Sequence, residues 1–157
     1  MEPKYEAQKF EQETYKKWEE RGAFKPEKDQ EDKRDRFTII MPPPNANDPL
    51  HVGHAMFVTV EDILIRYQRM LGKKVLWLPG TDHAGIETQY VFEKKIAKEG
   101  KSRFDFDREI LYKMIWDYVQ ENSDIAINQI KRLGASADWS RKKFTLDPDI
   151  VGFVLDT

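Results

Sequence analysis

The sequence predicts an α/β domain built on parallel strands, and three observations predict it. Phe37-Thr-Ile-Ile-Met41 is a short apolar run stopped by three prolines, an apolar repeat at helical spacing follows from His51, and Val75-Leu-Trp-Leu78 is a second short apolar run ending at Pro79-Gly80. Strand, helix and strand within about forty residues make a βαβ unit, which requires parallel strands and a right-handed crossover. In an open α/β sheet, ligands bind in the crevice outside the C-terminal ends of the strands. Two motifs fall at those ends.

Residues 4 to 21 carry Tyr5, Phe10, Tyr15 and Trp18 among Glu and Lys, and Gly22 supplies a stop, so an amphipathic helix is expected against the core. Residues 25 to 36 are almost wholly charged, with Pro26 near their start, and read as a solvated connector. The strand at 37–41 ends at Pro42-Pro43-Pro44, because proline neither donates to a ladder nor continues a central strand. Val60, Ile63, Leu64, Tyr67 and Leu71 repeat at helical spacing along the next helix, which Gly72 terminates. After the second strand another helix is expected from near His83 to about Glu99. Ser102 and Asp105 resemble a capping box, and Leu111, Ile115, Tyr118, Val119, Ala126, Ile130 and Leu133 trace a long helical face ending at Gly134. The tail from Ala135 reads as loop.

The bulk composition narrows the class. A chain of 157 residues fits one core, and 39% hydrophobic with 12% aromatic residues is too much apolar material for a disordered chain. Lys and Arg number 26 against 28 Asp and Glu, so no global attraction for nucleic acid exists and any RNA contact is local. The absence of cysteine excludes disulfides and thiolate metal sites. The mixed-charge start is unlike a signal peptide, and no apolar run approaches the ~20 residues of a membrane span. A cytoplasmic protein without membrane attachment is expected.

The first motif, Pro42 to Ala55, joins the first strand to a helix, so backbone N–H groups and the positive helix end should face the crevice, where a polyphosphate would be stabilised. Gly53 has no Cβ and lets a planar base or ribose approach the backbone. His51 and His54, three apart in the first turn, share one face. As donors to phosphate oxygens they would act where charge develops in a transition state, which makes them the catalytic candidates. Two histidines could instead be half a zinc site or plain helix caps; no cysteine and only three histidines weigh against zinc. In the second motif, Leu78 to Gln89, Pro79-Gly80 delivers Thr81, Asp82 and His83 into the same crevice. Asp82 could bind an ammonium group there, although an Asp after a strand is also a common helix cap.

His51-Val-Gly-His54 behind a strand, preceded by Pro42-Pro43-Pro44-Asn45, resembles the first ATP-binding motif of class I aminoacyl-tRNA synthetases. The histidine string alone also occurs in small nucleotidyltransferases such as pantetheine-phosphate adenylyltransferase, but the triple proline and asparagine resemble the subclass handling valine, isoleucine and leucine. The Pro79-Gly-Thr-Asp-His-Ala-Gly85 string resembles the valine-handling members, since the isoleucine and leucine enzymes typically carry a tryptophan–aspartate pair at this turn. Asn47 and Asp48, followed by Pro49, depart from the family's threonine and glycine. Glu87 stands where the family often has alanine, and nothing in the sequence explains it. The segments 131–141, 144–147 and 5–24 also resemble the family, so the likeness spans nearly the whole chain.

The resemblance implies an N-terminal helix and connector over 1–36 and the first half of a Rossmann-like nucleotide-binding fold over 37–157. It implies that ATP, brought with Mg2+ as a substrate, and valine give valyl-adenylate, and that the valyl group passes to tRNA(Val) through the full-length enzyme. Pro44, Asn45, His51, Gly53 and His54 would hold ATP; Pro43, Asn45 and Asp82 would seat the amino acid, with Asp82 on its α-amino group. No protein-bound metal is implied. The family's lysine-rich KMSKS loop does not occur; Lys113-Met114, inside a helix, is its nearest echo. That loop and the editing and anticodon segments are expected beyond residue 157, leaving this piece weakly active or inactive alone. The alternatives are an isoleucine- or leucine-type synthetase, a stand-alone nucleotidyltransferase without amino-acid dependence, and a non-catalytic module that binds ATP weakly.

Overall fold

Alternation within two short strands sets the sheet. Arg36–Ile40 (β1) and Lys74–Leu78 (β2) pair in parallel, with Arg36 opposite Lys74 and Ile40 opposite Leu78. Val75 and Trp77 of β2 point to the buried face, while Thr38 and Ile40 of β1 alternate away from the half-buried Phe37 and Ile39. Val52–Met70 (α2) supplies the crossover between the strands. The structure is a computed structural model describing residues 5–26 and 33–156, so residues 27–32 of the charged connector lie outside the described residues.

The core sits between α2, β2 and the end of a 25-residue helix, Arg108–Arg132. Here Met41, Val58, Ile65, Val75, Trp77, Ile130, Ala135 and Ala137 form one buried cluster, with Phe37, Ile39, Leu50, Phe57 and Trp139 at its margin. Trp77 is fully buried and its indole N–H donates to Glu61 Oε2 at 2.9 Å, so the largest core side chain leaves no polar atom unpaired. Burial in turn raises the Glu61 carboxyl above the usual range, and the Trp77 hydrogen bond partly offsets this.

The inward face of α2 is not the side on which the apolar repeat lies. Val60, Ile63, Leu64, Tyr67 and Leu71 are between 45% and 60% exposed, and Val58 and Ile65 are the buried pair. At 100° per residue the five lie roughly 140–240° around the helix from Val58, on its opposite side. Because α2 is apolar nearly all round, periodicity detects the helix without choosing its face, and the two-stranded sheet covers one side.

The other helices follow their local signals. Ala7–Glu20 (α1) is followed by Gly22 at φ 67°, and Gly72, Gly100 and Gly134 also take positive φ just past helix ends. Of the three α1 aromatics, Phe10, Tyr15 and Trp18, Tyr15 is the buried one. Its hydroxyl donates to the Ala135 carbonyl and accepts from the Trp139 indole, both at 2.7 Å. After β2, Gly80–Thr81 (β3) precedes Gly85–Ala97 (α3), which starts two residues later than expected because Ala84 is left-handed at φ 50°. The Ser102–Asp105 box forms, but it closes a single 3-10 turn, Arg103–Asp105; the long helix (α4, Arg108–Arg132) starts after Asp107, whose side chain makes no capping bond. Val119, Ala126 and Ile130 of its expected face are buried, whereas Leu133 is exposed.

The tail is more structured than expected. After a 3-10 turn at Trp139–Arg141, Lys143–Phe144 (β4) pairs in parallel with β3, and Pro148–Leu155 forms α5. A two-residue strand carries no readable alternation, which is why the sequence pattern missed it. Ser136, Ala137 and Asp138 are among the most buried residues of the molecule. Among the described residues no helix is long and apolar enough to cross a membrane.

Candidate functional site

The two motifs meet through their backbones. The β1–β2 ladder runs one step past the strands, with Met41 N–H on the Leu78 carbonyl at 2.9 Å, and then lapses because Pro42, Pro43 and Pro44 have no N–H. It resumes as Asp82 N–H donates to the Pro44 carbonyl (2.9 Å) and Ala46 N–H to the Asp82 carbonyl (2.8 Å). Asn45 and Asp82 thereby become parallel bridge partners at the C-terminal ends of the strands. Pro44 is buried beneath this bridge. From the other side α4 anchors the same loop: Tyr118 donates to the Asn47 carbonyl and Gln129 Oε1 accepts from Leu50 N–H, each at 2.7 Å.

His51 and His54 form the first turn of α2. His51 Nδ1 accepts from Gly53 N–H at 3.1 Å and His54 Nδ1 accepts from His51 N–H at 3.3 Å, a capping box made of two imidazoles whose centroids are 4.1 Å apart. A neutral imidazole that accepts at Nδ1 carries its proton on Nε2. Both rings therefore offer an Nε2–H donor. Burial lowers the His54 pKa below that of an ordinary histidine, and neighbouring His51 lowers it further, so the neutral donor form is favoured.

The helix end itself differs from the expectation that its N–H groups face a ligand. Gly53 N–H is taken by His51 Nδ1, and His54 and Ala55 N–H both go to the His51 carbonyl. An anion here meets imidazole donors before these backbone ones. Gly53 has a second use too: a Cβ on it would lie 2.8 Å from His51 Cε1, so the glycine makes room for the capping ring.

On the second motif, Asp82 Oδ1 accepts from Thr145 Oγ1 at 2.9 Å, and Thr145 lies just past β4. His83 contacts the same hydroxyl through its backbone N–H (2.9 Å) and through Nδ1 (2.6 Å). Asn45 Nδ2 donates to Glu87 Oε2 at 2.9 Å, which gives Glu87 a partner in the first turn of α3. Pro43 lines an apolar hollow of ≈ 120 Å³ with Gly80, Thr81, Phe144, Thr145 and Ile150. Among the described residues no three His, Asp or Glu side chains gather as a metal site.

Imidazole donors at the start of α2 and a carboxylate at the strand ends are groups that suit a phosphate and an ammonium. Residues 13–156 match the family of class I tRNA synthetases for isoleucine, leucine, methionine and valine. The chain belongs to this family. Among class I synthetases it is 53% identical over 146 residues to a chloroplastic/mitochondrial valine–tRNA ligase of Arabidopsis thaliana, covering 93% of this chain and 15% of that protein. A valine–tRNA ligase of Dehalococcoides mccartyi is 50% identical over 144 residues, covering 92% and 16%. The chain thus spans about one-sixth of the length of the relatives it matches, the 16% just given. The fold is that of the synthetase (LeuRS) of Agrobacterium radiobacter K84, solved as a ternary complex with tRNA and LeuAMS: TM-score 0.76 at 21% identity, over 98% of this chain and 18% of that one.

The structure joins the loop carrying Pro43, Pro44 and Asn45 to Asp82 through the Asn45–Asp82 bridge and places His51, Gly53 and His54 at the start of α2. The sequence reading missed Thr145 as a neighbour of Asp82. The two are separated by 63 residues and linked by a side-chain hydrogen bond, which leaves no periodic signal in the chain. Glu87 stood out only as an unexpected residue.

Proposed function

We propose that this chain is the ATP- and amino-acid-binding first half of the catalytic domain of a valine–tRNA ligase, with residues 37–157 as that half and 1–36 as an N-terminal extension. The observation that carries the proposal is the Asn45–Asp82 bridge, which joins the loop leading to the two histidines of α2 to the turn that carries Asp82. Identity of 53% and 50% to valine–tRNA ligases supports valine over its relatives.

In the proposed reaction the valine carboxylate attacks the α-phosphorus of ATP in line, one P–O bond forms, the bond to the β-phosphate oxygen breaks, and pyrophosphate leaves. Positioning and charge stabilisation supply most of the acceleration in such transfers. The Nε2–H groups of His51 and His54 donate to phosphate oxygens as charge builds on the leaving group. Gly53 admits the adenosine beside Pro44 and Asn45. Asp82 holds the α-amino group, and Pro43 and Asn45 border the side chain. ATP brings its Mg2+ on its own phosphates. Transfer of the valyl group to tRNA(Val) belongs to the full-length enzyme, in the cytoplasm.

The test is ATP–pyrophosphate exchange with valine, isoleucine, threonine or no amino acid, in wild type and His54→Ala. Valine-dependent exchange that the variant loses supports the proposal. Exchange equal with and without amino acid would instead favour a plain nucleotidyltransferase.

A further inference from the structure

We infer that Thr145, together with His83, is a positioning residue that orients Asp82 for the ammonium group of the amino acid; the inference rests on the function proposed above. One hydroxyl has one proton and two lone pairs. Thr145 Oγ1 donates its proton to Asp82 Oδ1 and accepts from the backbone N–H of His83, which leaves one lone pair for His83 Nδ1 at 2.6 Å. That contact is a hydrogen bond only if Nδ1 carries the proton. His83 is therefore the Nδ1–H tautomer, the opposite of His51 and His54, and all three hydrogen-bonding positions of the hydroxyl are filled.

The arrangement fixes which carboxylate oxygen is available. Among the described residues Asp82 Oδ1 is engaged by Thr145 and lies 3.3 Å from His83 Nδ1, while Oδ2 takes no hydrogen bond. Oδ2 is the atom left for a ligand ammonium. The support is itself held: Thr145 N–H donates to the Thr81 carbonyl (3.2 Å), Thr88 Oγ1 donates to the His83 carbonyl (2.7 Å), and His83 meets Phe144 edge-on. The tail after α4 thus contributes to the amino-acid site through its hold on Asp82, and a carboxylate pinned at one oxygen loses less freedom on binding.

The experiment compares Thr145→Val and Thr145→Ser with wild type in valine-dependent ATP–pyrophosphate exchange by the full-length protein. In parallel, the 15N shifts of the His83 ring are recorded in this chain. Thr145→Val is expected to raise the KM for valine roughly tenfold, the scale of one charge-assisted hydrogen bond, with the KM for ATP unchanged and with Thr145→Ser near wild type. The 15N shifts are expected to report Nδ1–H. Equal rises in both KM values, or no rise for valine, would overturn the positioning role. A wild type without valine-dependent exchange would overturn the proposed function instead, and the His83 tautomer would still decide the hydrogen-bond assignment on its own.

Discussion

The rim that carries the motifs and the buttress beneath α2 use the same kinds of polar group in opposite ways. In the buttress, Asp62 accepts from Ser136 N–H (2.9 Å), Ser136 Oγ (2.5 Å) and Arg66 Nε (2.6 Å), while Arg69 donates to Ser136 Oγ and to the Ser136 and Phe24 carbonyls. These bonds tie α2 to the tail and to the segment that follows α1. On the rim, His51 and His54 satisfy only their Nδ1 atoms internally, and Asp82 only Oδ1. A polar group whose bonds all close within the protein holds the fold; one with an atom left over can hold a ligand.

Substitutions can break that contrast, and the largest effect belongs to the buttress. Asp62→Ala leaves Ser136 N–H and Oγ without their acceptor and removes the partner of the partly exposed Arg66, and is expected to cost about 2–4 kcal/mol of stability in urea denaturation. His54→Ala should do the reverse, reducing valine-dependent exchange on the order of 10²–10³-fold while the urea midpoint changes little. If the two variants behaved alike, the contrast would be lost. Tyr15→Phe removes the hydroxyl joining Ala135 and Trp139 and should cost about 1–2 kcal/mol, with no change in ATP affinity.

The smallest expected effect concerns pH. His54 has a folded pKa below its unfolded value, mainly through burial, so the unfolded chain takes up the proton first as pH falls. Stability from this group is full above the ordinary histidine pKa and is lost as pH falls from there to the lowered value. The loss of thermal midpoint between neutral and mildly acidic pH should be slightly smaller in His54→Gln than in wild type. An NMR titration placing the His54 midpoint above that of a free histidine would reverse the sign.

Several parts of this molecule are legible one turn at a time. The proline stop after β1, the glycines after four helices and the capping pair at Ser102 and Asp105 all act within a few residues, so sequence alone places them. His51, His54 and Asp82 could be singled out because a strand–loop–helix joint dictates where such residues point. The long helix was legible for the same reason, from a repeat seven apolar positions long.

The remainder depends on what meets across the chain. Which side of α2 is inward was settled by the single sheet face it covers, so Val58 and Ile65 are buried and Tyr67 is not. The β3–β4 pair is too short to show a pattern, and its partners are 63 residues apart in register, Gly80 with Lys143. Thr145 beside Asp82 and Glu87 beside Asn45 are likewise contacts between distant segments. Local stereochemistry determined the elements and the motif-bearing turns, because backbone propensity and capping act over one helical turn. Tertiary structure alone decided the inward face of α2 and the residues that hold Asp82 and Asn45, because side-chain hydrogen bonds and packing between remote segments exist only once the chain is folded.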